Sequence, residues 1–194
     1  MTLLIADASP IVGFVAARQH SLLIEVSRRR WGGVILLPDH VHEEVERVTA
    51  RISRKALDTY NWMLRNNHIE RLGDAFGEVP TEDILTDALY DLLDLNTFDY
   101  NPNQKDLGEA LAVAYATYFS RSGADCLLLV DDGQGVDWAT ARKLKRIGTM
   151  EILGLAIHDG LITSKQQLTK THADICIHSR LPALSPRMLA RLPR

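Results

Sequence analysis

The chain has 194 residues, 46% of them hydrophobic and 24% charged, a size and balance that fit one core-bearing globular domain and exclude low-complexity character. No run approaches the ~20 apolar residues of a membrane span. The opening run Leu3-Leu4-Ile5-Ala6 is cut by Asp7 and Pro10, so neither a secretory leader nor a membrane anchor is expected.

Leu3 to Asp7 reads as a short buried strand that turns abruptly acidic. Ser9 as a cap and Pro10 at the first helical position open a helix to about Arg18, and a second helical piece covers Ser21 to Arg29. Gly32-Gly33 is a turn, and Val34 to Leu37 is a second buried strand ended by Pro38. Asp39 caps a helix to about Ala50, with Val41, Val45 and Val48 on one face, and Ser53 opens another to about Asn66. His68 to Leu72 is a third strand.

An acidic segment follows. Between Leu72 and Gln104 there is no Lys or Arg, and eight acids: Asp74, Glu78, Glu82, Asp83, Asp87, Asp91, Asp94 and Asp99. Within it Thr81 to Leu95 has helical periodicity, with Ile84, Leu85, Ala88, Leu89, Leu92 and Leu93 as an apolar stripe. Asp106 and Glu109 have capping-box spacing and start an apolar helix to about Ser120. Leu127 to Asp131 is a fourth strand, again closing on an acid, and Gly133-Gln134-Gly135 reads as a turn. Trp138 to Lys145 is helical, Arg146 to Thr149 a short strand, and Met150 to His158 a helix stopped by Gly160. Ser164 starts a last helix to about Ile177. A tail broken by Pro182, Pro186 and Pro193 follows, over 178–194.

Strands alternating with helices predict an α/β fold: a parallel sheet covered on both faces. Residues 1–194 form a single domain in this reading, with 74–104 as an acidic helical insertion. Outside the insertion the chain is net basic, with clusters at Arg28-Arg29-Arg30, Arg47 to Lys55, Arg142 to Arg146 and Arg180 to Arg194. Such a body can attract phosphate locally despite the net charge of −3; each cluster equally reads as a solvated helix face. Cys126 and Cys176 make no CxxC pattern, which fits free thiols in a reducing compartment and a cytoplasmic location.

In open α/β sheets, sites form at the carboxyl ends of strands. Asp7 and Asp131 follow two such strands, Asp132 comes next, Glu44 lies in the helix after the second strand, and Glu109 in the first turn of the helix feeding the fourth. Carboxylates gathered in one crevice repel one another, and a divalent cation reverses that cost. Each residue also has a plainer reading. Asp7 could cap a helix, Glu109 could complete the capping box, Glu44 could be a surface acid beside Glu43 and Glu46, and Asp131 and Asp132 could be turn residues before Gly133.

Five motifs in order resemble those of PIN-domain ribonucleases. They are Leu-Leu-Ile-Ala-Asp-Ala-Ser at 3–9, Leu-Pro-Asp-His-Val-His-Glu-Glu-Val at 37–45, Asp-Leu-Gly-Glu-Ala-Leu-Ala-Val-Ala at 106–114, Leu-Leu-Leu-Val-Asp-Asp at 127–132 and Gly-Thr-Met-Glu-Ile-Leu-Gly-Leu-Ala at 148–156. The resemblance implies a PIN-like, Rossmann-like parallel sheet flanked by helices, and Mg²⁺- or Mn²⁺-dependent hydrolysis of RNA. Many similar proteins are toxins of bacterial toxin–antitoxin pairs. By position, Asp7, Glu44, Glu109 and Asp131 would be the catalytic metal ligands, with Asp132 as the alternative fourth acid and Ser9 supporting the first loop.

Implied partners are an RNA substrate and an antitoxin protein; a second copy in a homodimer is a separate reading, through the acidic insertion. The chain departs from the family pattern at 74–104, which is longer than usual and could be a dimer contact, a gate, an RNA mimic or simply packing. The competing reading is a catalytically inactive PIN-like scaffold that binds RNA or a protein. A third is another metal phosphohydrolase acting on DNA or small phosphates. The seven histidines show no HExxH or zinc spacing, although His40 and His42 stand near Glu44, and no P-loop, GxGxxG or serine elbow occurs.

Overall fold

A computed structural model of the chain describes residues 2–73, 81–95, 104–131 and 133–192. In order, the elements begin with β1 (Leu3–Ala6), α1 (Ala8–Ala16), α2 (His20–Trp31), β2 (Ile35–Leu37), α3 (Asp39–Ile52), α4 (Arg54–Arg65) and β3 (Ile69–Arg71). They continue with α5 (Thr81–Thr86), a π-helical turn (Asp87–Leu92), α6 (Leu107–Arg121), β4 (Cys126–Leu129) and α7 (Gly133–Ala141). The last are β5 (Arg146–Ile147), α8 (Thr149–His158), α9 (Lys165–Cys176) and α10 (Pro186–Ala190).

The strands form a five-stranded sheet in the order β3-β2-β1-β4-β5, parallel at every pairing. This is the α/β architecture expected, consistent with a Rossmann-like fold. Alternation along the strands divides the core. Leu4, Ala6, Ile35, Leu37, Leu129 and Ile147 face one side, where α1, α2, α3, α8 and α9 cover them. Ile5, Leu36, Leu128 and Val130 face the other, under α5, α6 and α7. Both faces are buried at β1, β2 and β4, which is why those strands read as continuous apolar runs. No helix among the described residues is long and apolar enough to cross a membrane.

Several local expectations are corrected. Asp7, rather than Ser9, caps α1: its side chain accepts from Ser9 N–H, and Pro10 falls at the third helical position. Pro38 holds the N-cap of α3, leaving Asp39 in the first turn, where its carboxylate pairs with Arg71 at 2.8 Å. Gly133-Gln134-Gly135 begins α7 rather than forming a turn. Here Gly135 is demanded by packing, since a Cβ would strike Val130 Cγ2 at 2.7 Å. The tail holds the short helix α10, capped by Ser185. Ser53 and Ser164 cap α4 and α9 as expected.

The acidic segment is described only at 81–95 and 104; its other positions lie outside the described residues. Within 81–95 the expected helix is α-helical for one stretch and then widens to the π-turn. Ile84, Ala88 and Leu92 are buried in the cluster that contains α6. The stripe is therefore used in packing. Asp87 and Asp91 add ion pairs to Arg121 and Arg142, each at 3.6 Å.

Both cysteines are free, and burial pushes the Cys126 thiol up to about 11, so it stays protonated.

His20 meets Trp62 edge-on and Trp62 meets His68 at a tilt, with ring centroids 5.8 Å and 5.1 Å apart. Burial, and secondarily the charge of His68, holds the His20 pKa below its ordinary value. Its Nδ1 is buried with no hydrogen-bond partner among the described residues. A histidine kept neutral by folding contributes stability that is complete above its unfolded pKa near 6.5 and is lost as pH falls below that value. Urea denaturation at pH 7 and pH 5 should therefore show lower stability at pH 5, and His20→Gln should make that difference smaller.

Candidate functional site

β1 and β4 are neighbours, yet the chain leaves β1 toward β2 and β3 and leaves β4 toward β5. The cleft above their carboxyl ends is a topological switch point, where open α/β sheets place ligands. Asp7 stands there. Its backbone N–H extends the ladder by donating to Leu129 O at 3.0 Å. Its side chain is turned into the first turn of α1, where Oδ2 accepts from Ser9 N–H at 3.2 Å. The residue is only 3% exposed. Capping and presentation at the switch point are thus two uses of one side chain.

Glu44 reaches the same place from α3. It is half-buried while Glu43 and Glu46 are exposed, so it is not one more member of a solvated acidic face. What brings it to Asp7 is Gly108, in the first turn of α6. A Cβ at Gly108 would meet Glu44 Oε2 at 3.0 Å, Val41 Cγ2 at 3.6 Å and Asp7 Oδ1 at 3.8 Å. Val41 and Glu44 are three apart on one helix, hence on one face. The absent side chain lets α6 close onto that face with two carboxylates around one small space.

Glu109 follows on α6. Its Oε2 lies 3.4 Å from where a Gly135 Cβ would be, so it is directed toward the start of α7. The expected capping box is not formed. Asp106 sits at φ 61, a left-handed backbone, and makes no side-chain cap bond. Asp tolerates that region better than most residues, at some cost. Glu109 therefore does not have the plainer role the spacing offered.

Asp7, Ser9, Glu44 and Glu109 all line one cavity of about 650 Å³. Asp106 adds a fourth carboxyl group to its wall, and Arg47 and Lys105 bring cations, with Lys105 Nζ 3.7 Å from the Asp106 carboxylate. Gln104, His40 and His178 also line the cavity. The first turn of α6 directs its positive dipole end here, which offsets part of the repulsion among the acids.

His42 turns away from the cavity. Its Nδ1 lies 2.6 Å from the Tyr60 hydroxyl. Burial lowers the pKa of His42 and raises that of Tyr60, so both partners of this hydrogen bond are neutral.

Asp131 is placed differently. It is not among the residues lining this cavity. Oδ1 accepts from Thr149 N–H at 2.6 Å and Oδ2 from Thr149 Oγ1 at 2.5 Å, which ties the end of β4 to the start of α8. A Cβ at Gly148 would approach Asp131 Oδ1 to 2.9 Å. Asp132 lies outside the described residues.

Sequence reasoning passed over Arg47, Lys105, Asp106 and His178 as site residues. Arg47 had a usable signal, since it falls three residues after Glu44. His178 had none, because it reaches the cavity only through the folding back of the segment after α9.

Among the described residues, no group of three or more His, Cys, Asp or Glu side chains is drawn together closely enough to hold a metal ion. The donor chemistry nevertheless suits one class of ion. Mg²⁺ keeps several waters and takes one or two protein carboxylates together with substrate phosphates. The paired oxygens of Asp7 and Glu44 above Gly108 fit that demand; a dehydrated all-protein cage is not present there.

Comparison with protein-family models, with curated proteins and with solved structures gives no match for this chain.

Gly108→Ala tests whether the space between the carboxylates matters. The methyl would displace Glu44, whose side chain can yield, and Ala favours the helix by no more than about 0.5–1 kcal/mol. The variant should melt no lower than the parent without metal, and should lose any Mn²⁺-dependent rise in Tm that the parent shows.

Proposed function

We propose that the chain is a Mg²⁺- or Mn²⁺-dependent endoribonuclease of PIN-like type, hydrolysing RNA phosphodiesters. The observation that carries this reading is the convergence of Asp7, Glu44 and Glu109, from three separate elements, on one cavity at the switch point beside Arg47 and Lys105. The order of the sequence motifs supports it independently. A toxin role with an antitoxin partner rests on the motif resemblance alone, and a homodimer on the reading of 74–104 as a dimer contact.

In this reading Asp7 and Glu44 would hold the ion, with Glu109 nearby to accept a proton or bind through water. The bound ion would supply Lewis-acid polarisation of a phosphoryl oxygen and lower the pKa of water. Arg47 and Lys105 draw the backbone phosphates toward the carboxylates, giving affinity without base readout. Selectivity would come from the shape of a loop or single strand. Asp131 takes an indirect part, fixing the β4 end through Thr149.

The alternative is a non-catalytic scaffold that binds RNA or a protein. The engagement of Asp131 by Thr149 and the lack of a ready three-donor group among the described residues favour it.

Cleavage of structured and single-stranded RNA, with Mn²⁺ and with chelator, separates the two. Asp7→Asn is the informative variant, because Asn caps a helix about as well as Asp and the fold should survive. Metal-dependent cleavage that falls at least about a hundredfold in the variant, the scale of losing one preorganised charge-stabilising group, is the expected outcome. Cleavage undiminished by Asp7→Asn would remove this assignment. No cleavage, joined to no Mn²⁺-dependent rise in Tm, would favour the scaffold over the nuclease.

A further inference from the structure

A second cavity, of about 600 Å³, lies between β5, α8 and α10 and shares no lining residue with the first. Its walls are apolar: Ile147 from the edge strand, Met150 and Leu155 from α8, and Met188 from α10. Its size is that of a small-molecule site, and methionines give such a wall an adaptable shape.

Gly154, in the middle of α8, also lines it. A Cβ there would meet nothing within 4 Å. Neither a tight neighbour nor a positive φ requires glycine at this position, and a mid-helix glycine costs roughly 0.5–1 kcal/mol relative to Ala. The bare helix backbone deepens the floor of the cavity, which is a benefit only to something that occupies it.

The rim is cationic. Arg146 and Arg191 both line the cavity and are exposed, and neither has an ion-pair partner among the described residues. Arg30 is also present, but it is held by Asp159 and lies beside His158 Nδ1 at 2.9 Å. The acid on this wall, Glu151, is turned to the helix start, where Oε2 accepts from Gly148 N–H at 3.0 Å. An apolar trough with two uncommitted guanidinium groups at its mouth is complementary to a molecule with an apolar body and a carboxylate head, since guanidinium matches a carboxylate in a two-bond fork.

We propose that this cavity binds a small amphiphilic carboxylate of the medium-chain fatty-acid type, with the chain lying over Gly154 between Met150 and Met188 and the head on Arg146 and Arg191. The site is independent of the reading given to the carboxylate cavity.

Calorimetric titration of the full chain with decanoate below its micellar range, beside decan-1-ol, tests this. Decanoate should bind at one site, and decan-1-ol at least about tenfold more weakly, the scale of one lost charge-assisted contact. Arg146→Ala/Arg191→Ala, at exposed positions where folding is not at stake, should weaken decanoate by about tenfold or more and leave decan-1-ol unchanged. Gly154→Leu should block both ligands while leaving the circular dichroism spectrum of the parent. If Gly154→Leu does not fold, the double arginine variant decides alone. No binding of decanoate, equal binding of acid and alcohol, or full affinity in the double arginine variant would each overturn the proposal.

Discussion

The pairing of β1 with β4 is the constraint on which the remaining structure depends. Leu3 to Ala6 run beside Cys126 to Leu129 in unbroken parallel register, and Asp7 N–H continues the ladder onto Leu129 O. The two strands are separated by about 120 residues of chain, so the pairing is entropically costly to close. It must be supported by the elements between: α1 to α4 on one face, α5 and α6 on the other. The same pairing creates the switch point, because the chain departs to opposite sides from two adjacent strands. The position of Asp7 is therefore a consequence of topology and would survive changes in almost any single helix contact.

What is gathered at that point works against stability. Asp7 is almost fully buried, Glu44 closes on it across a missing side chain, Glu109 lies in the same cavity, and the chain enters α6 through a non-glycine left-handed residue, Asp106. Burial and like charge each disfavour ionised carboxyl groups. The fold offsets part of this with the Ser9 N–H and the positive ends of α1 and α6. A core built only for stability would place apolar residues at these positions. Local conflicts of this kind gather at functional sites rather than at random, which is a physical reason to look for a ligand here.

Much of this was legible in the sequence because buried parallel strands are short apolar runs and the acids stand out directly behind them. The three central strands and the placing of Asp7 followed from that contrast, while the edge strands β3 and β5, with Glu70, Arg71 and Arg146 in them, gave a weaker signal. Gly135 and Gly108 were not legible in the same way. Gly135 is set by the close approach of Val130 just before it, and Gly108 leaves space for Glu44 and Asp7, residues far from it in the chain; no local rule encodes either. The capping box failed for a related reason: spacing specifies that Asp106 could cap, while its left-handed backbone removes the side chain from the capping position. Asp131 shows the limit most clearly. A strand-end acid was rightly noticed, but its partner, Thr149, belongs to the next crossover.

The acidic segment is best understood through α6. Ile84, Ala88 and Leu92 bury themselves in the cluster that holds Leu107, Leu111 and Ala114. Asp87 and Asp91 reach Arg121 and Arg142, pairs exposed enough to add little beyond orientation. Fixing α6 fixes its first turn, and that turn carries Gly108 and Glu109. At its far end the segment runs through Gln104 and Lys105 into the wall of the cavity itself. The described part of the acidic segment therefore buttresses α6, the element that carries Gly108 and Glu109 to the cavity.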